Sequence, residues 1–150
     1  MLIGQLASIL TLLIGSLCQE TASGIYVVVD PPRRTVCDHE LRMVVGKRKV
    51  CVSKKPIIPA SELEYATDIR YDFQQKVNYI DVGVSSQALQ TLNKMIDTLP
   101  QTYFALVVDD DVICLFNLNE EIGARYIRVG EDADVDGLRQ ISNILKKLTF

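Results

Sequence analysis

The sharpest chemical pattern in the chain is Asp132-Ala133-Asp134-Val135-Asp136-Gly137, with carboxylates at alternate positions and glycine at the sixth. That spacing reproduces the first half of a calcium loop, where oxygens at positions 1, 3 and 5 converge on the cation and glycine permits the sharp turn. Position 12 should supply a bidentate Glu, and it is Asn143. Losing a two-oxygen anionic ligand leaves a weak, water-filled site at best. Leu138, Ile141 and Leu145 also share one face at helical spacing, which requires a helix starting near Asp134, inside the supposed loop. Asp132, Asp134 and Asp136 therefore read as a helix-capping group, with calcium as the weaker alternative, and no cofactor is expected.

General acid–base and nucleophilic chemistry near neutral pH most often recruits imidazole, and the chain has a single histidine, His39. No Ser-His-Asp order can be assembled around it. His39 and Cys37 are close in sequence, but the paired spacing of zinc ligands is missing. Asp109, Asp110 and Asp111 are consecutive, so on a strand pair they cannot all face one point, and a solvated hairpin tip is expected. The eight glycines are scattered and form no phosphate loop. No complete catalytic constellation results, and the expectation is a protein that is not an enzyme.

Charge is unevenly placed. The chain carries a net −3, yet Arg33, Arg34, Arg42, Lys47, Arg48, Lys49, Lys54 and Lys55 face only Asp38 and Glu40, so this segment carries +6 and the remainder −9. Such asymmetry steers acidic partners. No aromatic residue interleaves the charges, so nucleic acid is not expected. Arg42, Lys47, Arg48 and Lys49 are the candidate contact residues. The bland reading of the same run is a strand pair with solvated polar outer faces.

Leu2 to Leu17 is almost unbroken apolar sequence followed by Gln19, Glu20, Thr21 and Ser23. That is a secretory h-region with a polar border, shorter than the ~20 apolar residues of a spanning helix. Residues 1–23 are read as a signal peptide, with cleavage after Cys18 or Ser23, and residues 24–150 as one exported domain of the periplasm or cell envelope. The n-region lacks Lys and Arg, which leaves an uncleaved anchor open. Leu17 stands where a lipidated Cys18 would need a small residue. A membrane contact is expected only through the leader.

With Cys18 set aside, Cys37, Cys51 and Cys114 are left. In an oxidising compartment a pair and one leftover is the natural count. Cys37 and Cys51 flank two strand-like runs with a turn at Gly46–Lys47 and are expected to be bridged. Cys114 lies in an apolar run and is expected to be a reduced core residue.

The elements that would position these groups follow from periodicity. Strands are expected at Ile25–Asp30, Leu41–Val45, Lys49–Ser53, Ala66–Phe73, Val77–Val84, Phe104–Val108, Val112–Leu118 and Arg125–Val129, with a short helical turn at Ala60–Glu64. Ser85 can cap a helix whose apolar set Ala88, Leu89, Leu92, Met95, Ile96 and Leu99 follows 3.6-residue spacing to Pro100. A second helix spans 134–148. The fold class is α+β, a largely antiparallel sheet with two main helices on one face. Its expected core comprises Leu89, Leu92, Ile96, Leu106, Val108, Ile113, Ile127, Leu138, Ile141 and Leu145.

Three segments carry a family resemblance. VSSQALQTLNK from Val84, FALVVDDDVI from Phe104 and VCVSKKPIIPASELEYA from Val50 resemble the recurring module of the large periplasmic domain of the SecD and SecDF protein-export subunits. In that module a strand, a proline-hydrophobic turn, a serine-led helix and an apolar hairpin with an acidic tip follow one another. The match covers roughly residues 48 to 118. It implies a head-like, ferredoxin-like fold and that domain's contact with polypeptide. The family's multiple transmembrane helices, which couple proton movement to export, have no counterpart after the leader, so a proton-driven translocase is not expected from this chain alone. Binding of an unfolded or exported polypeptide, or of a protein partner, is the first functional expectation, a structural or self-associating envelope component the second, and an enzyme the last.

Overall fold

The computed structural model describes residues 21–29, 36–118, 124–148 and 150. The leader through Glu20, with Cys18, and Arg33 and Arg34 of the basic segment lie outside the described residues. The strands are β1 (Gly24–Val27), β2 (Glu40–Met43), β3 (Lys49–Cys51), β4 (Ile58–Pro59), β5 (Leu63–Ala66), β6 (Arg70–Asp72), β7 (Val77–Val84), β8 (Tyr103–Val108), β9 (Asp111–Asn117) and β10 (Tyr126–Val129). The helices are α1 (Ser86–Thr98) and α2 (Val135–Leu145), with a single 3-10 turn at Ala60–Glu62.

The one expected sheet is two. Six strands run in the order β3-β2-β9-β8-β1-β4, and a smaller sheet has the order β10-β7-β5 with β6 also on β7. Among the described residues all strand pairings are antiparallel except β2 with β9. The pairing puts β7 and β10 beside each other rather than beside β8 and β9, so it does not establish a ferredoxin-like order.

The apolar runs explain the division. Phe104, Leu106 and Val108 enter a core that also holds Ile80, Val82 and Val84 of β7, Ala88 and Leu92 of α1, and Leu138, Ile141 and Leu145 of α2. Ala105 and Val107, the alternate residues of β8, bury a second cluster with Tyr26, Leu41, Val50, Val52 and Val112. Strands buried on both faces read as continuous apolar sequence. A bridge between Val28, just past β1, and Val52, just past the edge strand β3, draws these two strands together over this second cluster. The face of β8 opposite the helices is thus covered as well. Of the expected core, Leu89 and Ile96 are only partly buried and the other eight are buried. Leu99 at the end of α1 is exposed.

The expected strand over Ala66–Phe73 is broken into β5 and β6, which pair in succession along the same edge of β7. Thr67 sits at the break. Its hydroxyl accepts from the Asp81 amide at 3.0 Å while its own amide donates to the Asp81 carbonyl at 2.9 Å, so side chain replaces main chain in the ladder.

Both helix starts are capped as their sequences dictate. Ser85 accepts from the Ala88 amide at 3.0 Å and also contacts Glu62. Asp134 accepts from the Gly137 amide at 2.7 Å. Each cap satisfies one of the orphan amides of a first turn. The β8–β9 connection is a two-residue turn with Asp109 and Asp110 both at positive φ, 48° and 69°. That backbone suits the right-handed twist of a hairpin, and Asp tolerates it better than most residues.

Candidate functional site

The β2–β3 turn carries the candidate cations. Gly46 and Lys47 lie at φ 79° and 52°, and the Met43 amide donates to the Arg48 carbonyl at 2.8 Å, closing the turn. Arg42, Lys47, Arg48 and Lys49 are all exposed. Lys49 pairs with Glu40 across the strands at 3.1 Å. Among the described residues no carboxylate comes within ion-pair distance of Arg42, Lys47 or Arg48.

Val45 fixes where the turn points. A Cβ built on Gly137 would stand 3.3 Å from both Val45 methyls, so the turn lies directly on the first turn of α2. A cleft of about 450 Å³ opens beneath it, lined by Met43 and Val45 from the turn, Ile113 and Leu115 from β9, Ala133 before α2, and Ile141. Arg48 and Asp132 also line it. That volume falls within the range of ligand pockets. A register shift between Leu106 and Val107 leaves Ile113 unpaired on β9, a bulge that places Ile113 and Cys114 consecutively at the cleft. Bulges redirect side chains in this way. On the other side of the turn a second cleft of about 400 Å³ is lined by Lys47, Asp134, Asp136 and Gln140.

The cysteines divide as their number suggests. Cys37 and Cys51 are bonded, with Cα atoms 5.8 Å apart, and the bridge anchors the segment entering β2 to the end of β3. Cys114 is free and buried. Burial, and then the nearby Asp132 carboxylate, push its thiol up to about 12, so at neutral pH it stays protonated and lacks the thiolate a nucleophile needs.

The calcium alternative meets the helix instead. α2 begins at Val135, Asp134 is its cap, and Asp136 pairs with Arg139 at 3.4 Å. No group of metal-ligating side chains gathers among the described residues.

His39 is half-buried and tied into the framework. Nδ1 lies 2.9 Å from the Ser53 carbonyl, Nε2 lies 3.4 Å from the Thr21 hydroxyl, and Tyr26 meets the ring edge-on at 5.7 Å between centroids. Its contacts join β3 to the segment ahead of β1.

The sequence reading passed over Arg128. Its Nε is 3.2 Å from Asp81 and its Nη1 3.2 Å from Asp72, and the guanidinium lies 3.6 Å over the Tyr79 ring. Asp81 is the one buried charged residue among those described. Beside this group Tyr65 packs on Gly83, while Tyr71, opposite Asn78 on the other side of the sheet, meets Phe73 edge-on at 5.0 Å, all three aromatics being exposed. The alternation of Tyr79, Asp81 and Gly83 along β7 put these positions on one face, but only the pairing of β6 and β10 brought Asp72 and Arg128 to it.

These features define a mixed α/β domain of two sheets and two helices with an open cationic turn over an apolar cleft. The same fold occurs in solved structures of SecDF. One is SecDF in its super-membrane-facing form, at a TM-score of 0.58 and 10% identity, matching 84% of this chain and 18% of that one. The other is SecDF described as a membrane component that enhances protein export, at a TM-score of 0.55 and 11% identity, matching 85% of this chain and 63% of that one. The chain therefore corresponds to part of those chains' lengths, and at these identities the likeness establishes the fold. No family model and no curated protein matches the chain. Among the described residues no helix is long and apolar enough to cross a membrane.

Proposed function

We propose that this is a non-catalytic, exported domain of the periplasm or cell envelope that binds polypeptide, either an unfolded or exported chain or a protein partner, as an accessory to protein export. The observation that carries the reading is the β2–β3 turn, whose Lys47 and Arg48 stand without carboxylate partners among the described residues beside an apolar cleft. Cations at a rim accelerate encounter with acidic partners, and apolar burial then holds them. The SecDF likeness supports the export setting by fold analogy. Arg42, Lys47, Arg48 and Lys49 form the contact surface, and the leader acts as the signal peptide; of the two cleavage points, the one after Cys18 keeps Thr21, Ala22 and Ser23, which hydrogen-bond Asp110, Tyr26 and Asp109. Photo-crosslinking from positions 47 and 48 in the native compartment tests the proposal. Capture of extended or envelope polypeptides at these positions supports it, and crosslinks confined to lipid or to none oppose it.

A structural or self-associating envelope component is the second reading. The exposed Tyr71 and Phe73, paired edge-on at the β6 edge of the small sheet, favour it, because aromatic residues are enriched where interfaces bury surface. Concentration-dependent sedimentation that Phe73→Ser abolishes would select this reading.

A further inference from the structure

We infer that the cleft beneath the β2–β3 turn takes one apolar side chain of a bound polypeptide, with an acidic residue of that polypeptide beside Arg48 and a basic one beside Asp132. The inference rests on the polypeptide-binding proposal and assigns it a subsite and a charge order. Six apolar side chains converge on the cleft from the turn, from β9, from the loop before α2 and from α2 itself. Met43 among them adapts to differently shaped guests. Arg48 and Asp132 line the same space, and among the described residues neither is ion-paired, to the other or elsewhere. An unpaired cation and an unpaired carboxylate around an apolar hollow complement a guest with an apolar centre and opposite charges on its two sides. A simple anionic amphiphile would satisfy Arg48 and leave Asp132 opposed. A chain segment of acidic, apolar, basic order satisfies both.

The test uses the purified protein and short fluorescent peptides capped at both ends, carrying a central Leu flanked by Glu on one side and Lys on the other in a Gly/Ser background. Fluorescence anisotropy should show that replacing the central Leu by Ala weakens binding about tenfold or more, as loss of a buried Leu requires. Ala133→Phe and Leu115→Trp fill the cleft from two separate elements. Whichever of them keeps a near-wild-type melting temperature should show the same loss. Arg48→Glu should weaken the Glu-bearing peptide several-fold and recover when that Glu is replaced by Lys. Unchanged affinity in a folded, cleft-filling variant overturns the subsite while leaving polypeptide binding elsewhere intact. Failure of the charge swap to recover affinity overturns the charge order. If no peptide binds, yet 8-anilinonaphthalene-1-sulfonate still enters the cleft and is excluded by Ala133→Phe, the cleft serves a different apolar anion, and both the inference and the polypeptide reading fail.

Discussion

Val45 rests on Gly137, and a methyl added there would come within 3.3 Å of both Val45 methyls and 3.0 Å of the Asp134 carboxylate. The cationic turn is therefore held against α2 by a residue with no side chain. Gly137→Ala gains about 1 kcal/mol of helix propensity and must displace the turn by a few tenths of an ångström. The expected outcome is a melting temperature near that of the parent, with amide shifts concentrated at Val44–Arg48 and altered peptide affinity. A large loss of stability with unmoved turn resonances would show that the turn cannot yield.

The Cys37–Cys51 bond closes a loop with a sequence separation of 14, and its removal should cost about 3 kcal/mol by loop entropy. Urea unfolding of the Cys37→Ala, Cys51→Ala double variant measures this. With its thiol pushed up to about 12 by burial, Cys114 should resist alkylation at pH 8, where only about one part in ten thousand is thiolate. Fast labelling without denaturant would contradict the buried placement.

Arg128→Met leaves the buried Asp81 carboxylate with only Arg70, 3.8 Å away. Breaking a buried pair costs several kcal/mol, and the partial exposure of Arg128 reduces the expected loss to about 2 kcal/mol. Adding Asp81→Leu should recover most of it, because no buried charge then lacks a partner. A double variant less stable than Arg128→Met would contradict this assignment.

Hydrogen bonds from Thr21 hold the Asp110 carboxyl below its usual range, with the charge of His39 a smaller contribution. A depressed carboxyl stabilises the fold fully above the unfolded value near pH 4, and that stability is lost as pH falls through the lower folded value. Asp110→Asn keeps the left-handed turn and removes the charge. Its deficit in stability should be constant at neutral pH and close as the pH drops below about 4. A deficit that persists at pH 2 would point to the turn rather than the carboxylate.

Local features were legible in the sequence because their causes are local. Ser85 before an apolar 3.6-residue repeat gave α1, the aspartates at 109–111 gave the hairpin tip, and Asp134 gave the start of α2. The division into two sheets was not legible, because the runs 104–108 and 112–116 are apolar on both faces and do not say which partner covers each. The break in 66–73 depends on the Thr67 hydroxyl reaching β7, a tertiary contact. Lys47 and Arg48 stood out as charges, but the cleft beside them is lined by residues of four separated segments, and only the bulge at Ile113 and the seat of Val45 on Gly137 bring these together.

The most direct measurement of the central claim is the association rate of an unstructured acidic peptide with the protein and with the Lys47→Glu, Arg48→Glu, Lys49→Glu variant across a salt series. Because Lys47 and Arg48 make no ion pair among the described residues and Lys49 makes an exposed one, the variant should unfold at nearly the parent temperature. Its association should be slower and its salt dependence flatter, as removal of a steering patch requires. Identical rates and salt slopes in the two proteins would contradict polypeptide recruitment by this surface.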